Sequence, residues 1–232
     1  MATTKSKSKS GAVAAARKKQ PPWLWIGVAA IVLILAVAAI ASSGGSSDKK
    51  KSAEGAAETR PVTVTGTPLV KLADSGADPA VGQGIPEVKG QSFDGSPVDI
   101  RNDGRPKLIL FVAHWCPHCQ REVPLLVKHL KSNPLPKGVD LYTVATATSP
   151  QRPNYPPSAW LAKEGWTAPT MADSDDAKAA DAFGLSAFPY FVAVDGSGKV
   201  IARTTGEITT DEFAGLAART LSKEAPATRP PG

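Results

Sequence analysis

Cysteine is scarce in this sequence, whose 232 residues include only two, Cys116 and Cys119. So few cysteines exclude a framework of several structural disulfides, which would use more cysteines at wider spacings. They also exclude a zinc site built from four cysteines. A chain that keeps a single close pair is expected to use that pair for chemistry.

Acidic residues are absent from the first 41 positions, which hold six of the 27 basic residues. The remaining 21 basic residues equal the 21 acidic residues in number. The formal charge of +6 therefore belongs to a short N-terminal tail, and the body of the protein is neutral. A neutral body with a short basic tail does not indicate a protein that binds nucleic acid.

Residues 23–41 form an uncharged, apolar run. As a helix this run would extend about 28 Å, close to the roughly 30 Å hydrocarbon core of a bilayer. Trp23 and Trp25 lie at one end of it, and indole rings favour the headgroup region. The run predicts a single transmembrane helix, with a cleaved signal peptide ending at the small-x-small sequence of residues 39–41 as the alternative. Both interpretations predict export.

The basic residues before the apolar run place the N-terminus in the cytoplasm and the rest of the chain outside, at the cell membrane. Composition then divides the chain into five segments. They are a basic disordered tail (1–22), a transmembrane helix (23–41), a flexible linker with a candidate edge strand at 61–69 (42–80), a folded domain (81–222) and a second disordered tail (223–232).

Within the folded domain, apolar runs and helical periodicity alternate along the chain, which predicts an α/β fold. The predicted strands are 98–100, 107–113, 139–145, 190–194 and 199–204, the last two as a hairpin. The predicted helices are 116–131, 158–164, 175–183 and 210–221. Four acidic residues near the third helix are expected to form a solvated, helix-starting face; they are Asp173, Asp175, Asp176 and Asp181.

Both cysteines belong to the motif HWCPHC, residues 114–119, at the predicted junction of a buried strand and a helix. A helix N-terminus offers free N–H groups and partial positive charge, which stabilise the thiolate that attacks disulfides. We therefore predict that Cys116 is the partly exposed, attacking cysteine. Cys119, one turn along, would be more buried and would resolve the mixed disulfide. Pro117 falls at the first helical position, which tolerates its missing N–H.

Other uses of the cysteine pair fit the sequence less well. A c-type haem attachment needs His directly after the second cysteine, and position 120 is Gln. A purely structural disulfide would close too short a loop to stabilise the fold appreciably. Metal binding stays open as an alternative function. His114 and His118 would complete a zinc set, and thiolates are soft ligands suited to a Cu(I)-binding chaperone.

Phe188-Pro189 precedes the predicted strand 190–194. Proline at the start of a strand marks an edge, a turn or a cis bond. A Trp-Cys-x-x-Cys sequence after a buried strand, with an apolar-Pro pair about 70 residues later, resembles the thioredoxin superfamily. The resemblance covers residues 82–221.

Several features narrow the resemblance to the membrane-anchored, TlpA-like redoxins. They are the apolar anchor, Val81-Gly82 followed by Pro86, the Asp94-Gly95 turn before Val98, and Arg121-Glu122-Val123-Pro124. The resemblance implies a three-layer fold with a central mixed sheet flanked by helices. It also implies that Pro189 is a cis-proline beside the active site, that the backbone near Phe188 binds an extended client peptide, and that Gly206 matches the glycine before the last helix.

The dipeptide Pro117-His118 departs from the TlpA-like pattern, in which a proline often stands just before the second cysteine. It matches the DsbA-type oxidases, and His118 would stabilise the Cys116 thiolate. Potentials run from about −270 mV for thioredoxin to about −120 mV for DsbA. The scaffold thus implies a reductant and the dipeptide an oxidant, so the direction of electron flow stays open.

The sequence therefore predicts a thiol–disulfide oxidoreductase with Cys116 and Cys119 as its catalytic residues. The expected supporting residues are Trp115, Pro117, His118 and Pro189, with Phe188 as a substrate contact and Glu122 as a candidate aid to proton transfer at Cys119. The pair itself carries the electrons, so no separate cofactor or metal is expected. The expected partners are client proteins with cysteines or disulfides and a membrane redox partner that recycles the pair.

Overall fold

The computed structural model describes residues 57–222. The predicted transmembrane helix, the two predicted disordered tails and the first part of the predicted linker lie outside these residues. Within residues 57–222, no helix is both long enough and apolar enough to cross a bilayer.

Eight strands and four helices make up the described region. The strands are β1 (Thr63–Thr65), β2 (Glu87–Gln91), β3 (Pro97–Ile100), β4 (Lys107–Val112), β5 (Asp140–Ala145), β6 (Thr170–Ala172), β7 (Tyr190–Val194) and β8 (Val200–Thr205). The helices are α1 (Pro117–Ser132), α2 (Pro157–Glu164), α3 (Lys178–Ala182) and α4 (Thr210–Arg219).

The strands form one mixed sheet in the order β1-β2-β6-β5-β4-β7-β8, with β3 paired to β2 outside that path. β4 is parallel to β5 on one side and antiparallel to β7 on the other. Every residue of β4 is buried, as a continuous apolar run predicts for a strand covered on both faces. β7 and β8 form the predicted antiparallel hairpin.

Alternate residues of β4 pack into two separate hydrophobic clusters, because successive side chains of a strand point to opposite faces. Leu108 and Leu110 belong to the cluster that also holds apolar residues of α1, α2 and α4. Ile109 and Phe111 belong to the other cluster, together with α3 and the segment before β2. The domain therefore has the three-layer α/β architecture that the sequence predicts.

The folded region begins well before residue 81, so the prediction of a flexible linker is wrong for residues 57–80, although β1 lies within the candidate edge strand predicted there at 61–69. Val62, Leu69 and Leu72 are buried in the cluster beside α3. β1 lies at one end of the sheet, paired antiparallel with β2. The apolar residues of 57–80 are widely spaced, and their burial depends on contacts with distant parts of the chain.

The sequence pattern did not predict β2 or β6. Three of the five residues of β2 have a charged or amide side chain, and only Val88 is a large apolar residue. The sequence of β2 therefore lacks the alternation of apolar and polar residues that indicates a strand. Gly90 is needed for packing, since a Cβ at this position would lie 2.8 Å from the Sδ of Met171 in β6. β6 has three residues, all buried, which is too short for a periodic signal.

The expected solvated acidic face is wrong at Asp173, which is only 1% exposed. Its carboxylate accepts hydrogen bonds from the backbone N–H groups of Ser174, Ala179 and Ala180. Asp173 therefore satisfies the free donors at the start of α3, which begins at Lys178 rather than at residue 175. A buried acceptor is stable here because backbone donors surround it.

Candidate active site

The two cysteines lie where β4 gives way to α1, as the sequence predicts. Cys116 is the N-cap residue of α1, with extended backbone angles of φ −74° and ψ 120°, and Pro117 opens the helix. The Cys116 N–H donates to Ala113 O at 3.0 Å, and the Gln120 N–H donates to Cys116 O at 3.1 Å. No side chain caps this helix, so its N-terminal donors and dipole act on the Cys116 sulfur without competition from an N-cap oxygen.

The cysteines are free thiols in environments of different depth. Cys116 is 6% exposed, less than the partial exposure expected, and Cys119 is fully buried. Burial raises the pKa of the Cys119 thiol far above its ordinary value. Cys119 therefore stays protonated at neutral pH, while Cys116 is the less buried of the two cysteines.

The Phe188–Pro189 segment packs directly against Cys116, although 72 residues separate them in sequence. The Cys116 thiol points to Phe188 O, with a sulfur-to-oxygen distance of 3.9 Å. The Phe188–Pro189 peptide bond is cis. On its other side, Pro189 O accepts a hydrogen bond from Gly206 N–H at 2.9 Å. Backbone polar groups before β7 thus lie beside the reactive sulfur.

Trp115 connects this segment to the loop after β5. Its indole N–H donates to Ala147 O at 2.8 Å, and its ring meets the Phe188 ring edge-on at 5.9 Å. The guanidinium of Arg152, from the same loop, lies 4.7 Å from the centre of the Trp115 ring. Trp115 therefore holds two loops against each other next to Cys116, and Arg152 adds a cation–π contact.

His114 is buried, and its two ring nitrogens both bond to the loop after β5. Nδ1 lies 2.7 Å from Pro153 O, and Nε2 accepts the Ser149 N–H at 3.2 Å. A carbonyl partner at Nδ1 and a donor at Nε2 fix the neutral tautomer with the proton on Nδ1. Burial lowers the His114 pKa, which also favours the neutral ring. The His114 side chain thus holds the HWCPHC motif against the loop after β5 through two hydrogen bonds.

The metal-binding alternative needs a third ligand close to the cysteines. His114 cannot supply it in this arrangement, because both of its nitrogens are bonded to the backbone. Among residues 57–222, no group of three or more His, Cys, Asp or Glu side chains is placed to hold a metal ion.

His118 points away from the core and joins a charged cluster with Arg121 and Glu207. The Glu207 carboxylate lies 2.6 Å from His118 Nδ1 and 3.0 Å from Arg121 Nε. A terminal nitrogen of Arg121 also lies 2.9 Å from His118 Nδ1. Hydrogen bonds from Arg121 and His118 hold the pKa of the Glu207 carboxyl at about 2. Sequence reasoning did not find Glu207, because 89 residues separate it from His118.

Glu122 lies one helical turn beyond Cys119 and is only 1% exposed. One carboxylate oxygen accepts the Ile208 N–H at 3.3 Å, and the other has no hydrogen-bond partner among residues 57–222. Burial raises the Glu122 pKa to about 7, with Glu207 and Glu212 adding to the effect. Residues at positions i and i+3 share a helix face, so this titratable group lies on the same side of α1 as Cys119.

The arrangement can carry out thiol–disulfide exchange. Cys116 supplies the less buried sulfur at a helix N-terminus, Cys119 supplies a fully buried second thiol, and Glu122, with its pKa raised to about 7, supplies a proton acceptor. Of the predicted residues, the structure brings Trp115, Phe188 and Pro189 together around Cys116. His118 instead belongs to the exposed charged cluster with Arg121 and Glu207.

Comparison with known proteins matches residues 80–219 to the family model described as Redoxin. No curated protein matches the chain. Among solved structures, a thiol:disulfide interchange protein of the thioredoxin family from Chlorobium tepidum TLS is 24% identical with a TM-score of 0.50, covering 65% of this chain and 100% of that one. A Chlorobium tepidum protein assigned as DsbE is 17% identical with a TM-score of 0.52, covering 61% and 98%.

A further solved structure, of DsbF from Mycobacterium tuberculosis, is 26% identical with a TM-score of 0.46, covering 57% of this chain and 94% of that one. The two Chlorobium similarities show a shared fold over nearly the whole length of each known structure.

Proposed function

The chain belongs to the redoxin family, and we propose that it is a thiol–disulfide oxidoreductase that works outside the cytoplasm, anchored in the membrane. The observation that carries the proposal is the difference between its two cysteines. Cys116 caps α1 beside the Phe188–Pro189 segment, and Cys119 is fully buried behind it. A reachable attacking thiol backed by a shielded resolving thiol is the arrangement that disulfide exchange requires.

The exchange proceeds in two steps. When the enzyme reduces a client, the Cys116 thiolate bonds to one client sulfur, and the other client sulfur leaves as a thiolate that takes up a proton. Cys119 then loses its proton and attacks Cys116, which forms the Cys116–Cys119 disulfide and releases the first client sulfur as a thiol. The client gains two electrons and two protons, which the enzyme loses. Oxidation of a client runs through the same steps in reverse.

Glu122 supports the second step. The Cys119 thiol must lose its proton before it can attack, and its raised pKa makes loss to water unfavourable. The buried Glu122 carboxylate, on the same face of α1, accepts that proton at a pH near 7. The carboxylate oxygen that has no hydrogen-bond partner in the described part of the chain is available for the transfer.

A client peptide binds in extended form along the segment before β7. Phe188 O already faces the Cys116 sulfur, so a client strand paired with this backbone brings its own sulfur to Cys116. Trp115 and Phe188 form an apolar wall beside the sulfur. This surface binds the backbone of the client and its apolar side chains. Such binding does not depend on one particular client sequence, which suits an enzyme that acts on several clients.

The location of the enzyme follows from the apolar run at residues 23–41 and the basic residues before it. Such an anchor keeps the catalytic domain at the outer face of the cell membrane. A membrane redox partner then restores the cysteine pair after each exchange, in whichever direction the electrons flow.

Trapping tests the function directly. In the full-length Cys119→Ala protein the mixed disulfide on Cys116 cannot be resolved, so incubation with a disulfide-bonded peptide should yield a covalent adduct that a reductant releases. Cys116→Ala is the matched control and should yield none. Failure of the Cys119→Ala protein to form adducts, together with tight stoichiometric Cu(I) binding by the wild type, would replace the proposal with the copper-binding alternative.

A further inference from the structure

We propose that Glu207 is a positioning residue that sets the reduction potential of the cysteine pair by neutralising the positive charge of α1 beside Cys116. The inference rests on the proposed function, since it concerns the equilibrium of the same exchange reaction. It assigns a task to the charged cluster of His118, Arg121 and Glu207, which the exchange steps themselves do not use.

Glu207 reaches two side chains of α1 from the loop after β8. It contacts His118 at 2.6 Å and both the Nε and a terminal nitrogen of Arg121, at 3.0 and 2.5 Å. A carboxylate that accepts hydrogen bonds from two nitrogens of one guanidinium forms a bidentate pair, which fixes the relative orientation of the two groups. The cluster therefore ties the first turns of α1 to a loop that is distant in sequence.

Three observations relate the cluster to the active site. His118 is the second residue after Cys116. The Arg121 pKa is raised first by its bond to Glu207, and the charge of Cys116 adds to the effect. Gly206 donates its N–H to Pro189 O, which places Glu207 one residue from a contact of the Phe188–Pro189 segment.

The charges of the cluster give the direction of the effect. Arg121 is always positive, and the Glu207 carboxylate is ionised throughout the physiological pH range. The two cancel, whereas Arg121 alone would add one positive charge near Cys116. A positive charge stabilises the thiolate, and a stabilised thiolate makes the disulfide more oxidising. Glu207 therefore shifts the pair toward the reducing end, against the effect expected of His118 in a CPHC motif.

The test is equilibration of the full-length protein, purified in detergent, with glutathione buffers. One oxidised glutathione converts the protein dithiol to its disulfide and becomes two reduced glutathiones, with transfer of two electrons and two protons. Glu207→Gln should lower the equilibrium constant for this oxidation by about fivefold, or about 20 mV toward the oxidising end. Arg121→Gln should shift it by a similar factor in the opposite direction, and the double variant should return near wild type.

Two matched variants separate charge from structure. Glu207→Asp keeps the charge and should stay within about twofold of wild type. Glu87→Gln breaks an exposed pair with Lys89, 3.0 Å apart on β2, and should leave the equilibrium unchanged. Because all three members of the cluster are at least one-third exposed, 1 M KCl should reduce the Glu207→Gln shift.

The outcomes distinguish this inference from the function on which it rests. A wild-type pair that equilibrates normally, with Glu207→Gln matching Glu87→Gln, would leave Glu207 a structural tie and overturn the inference alone. A shift of Glu207→Gln toward the reducing end would show that the sign of the argument is wrong. A wild-type pair that never forms a disulfide would overturn both the function and the inference.

Discussion

Replacement of Glu122 by Gln tests whether this buried acid is kept for catalysis at the expense of stability. The folded protein holds the Glu122 pKa at about 7 because the side chain is buried, and the ordinary value for Glu is 4.5. Between these two values the unfolded chain has lost the proton and the folded chain still binds it. Stability therefore falls as the pH rises through this window, since the folded state binds more protons. Gln carries no such charge at any pH.

The expected magnitude follows from the size of the shift. A difference of about 2.5 pKa units, at 1.36 kcal/mol per unit, amounts to about 3 kcal/mol of lost stability above pH 7. At pH 4 both states of the wild type carry the proton, and the difference disappears. Relative to wild type, Glu122→Gln should therefore gain about 3 kcal/mol in unfolding free energy between pH 4 and pH 8.

The assay is urea unfolding of the reduced proteins at pH 4 and pH 8, followed by the rate at which a preformed mixed disulfide on Cys116 is resolved. Glu122→Gln should gain stability at pH 8 and resolve the mixed disulfide at least tenfold more slowly at pH 7, because the proton acceptor for Cys119 is gone. The control is Glu164→Gln, at the end of α2. If the stability difference between Glu122→Gln and wild type is the same at both pH values, Glu122 does not titrate as argued.

Two further changes test the framework around the site. His114→Ala removes the ring that hydrogen-bonds to Pro153 O and to the Ser149 N–H. The variant should lose about 3 kcal/mol of unfolding free energy, and hydrogen exchange at the Ser149 amide should be faster. Exchange at the wild-type rate would show that the loop does not depend on the His114 ring. Thr209→Ala removes the capping box at the start of α4 and should lower the unfolding free energy by about 1 kcal/mol, whereas Thr210→Ala, one position along, should cost far less.

The part of the fold that carries the cysteines could be predicted because local signals agree there. The apolar run of β4 marks a strand buried on both faces, and the periodicity after Cys116 marks a helix whose start is fixed by Pro117. The predicted and observed bounds of α1 differ by one residue at each end. Similar agreement holds at the start of α4, which begins at Thr210 as predicted and is preceded by Thr209, whose side chain forms a capping box with Glu212.

The remaining parts of the fold and the site could not be predicted, because they depend on contacts between residues that are far apart in the sequence. β2 is identified as a strand by its pairing with β1 and β3, and its composition alone indicates a polar loop. In the sequence, Asp173 cannot be distinguished from the acidic residues that follow it. Only the structure shows that backbone N–H groups of α3 donate to its buried carboxylate. Likewise, nothing near Glu207 in sequence indicates that it meets His118, because their contact depends on how β8 is placed beside α1.

The TlpA-like resemblance implies a reductant, whereas the Pro117-His118 dipeptide implies an oxidant. The two implications can be reconciled because Cys116 and Cys119 lie in different surroundings. Cys116 is followed in α1 by the exposed cluster of His118, Arg121 and Glu207, in which the charges of Arg121 and Glu207 act on its thiolate and so on the equilibrium of the pair. Cys119 adjoins the buried Glu122, which acts on proton transfer and so on the rate of resolution. Exposed charges are screened by salt and buried ones are screened much less. Position 118 alone therefore does not decide whether the enzyme oxidises or reduces, because Arg121 and Glu207 also act on the Cys116 thiolate at the surface, while resolution depends on buried groups.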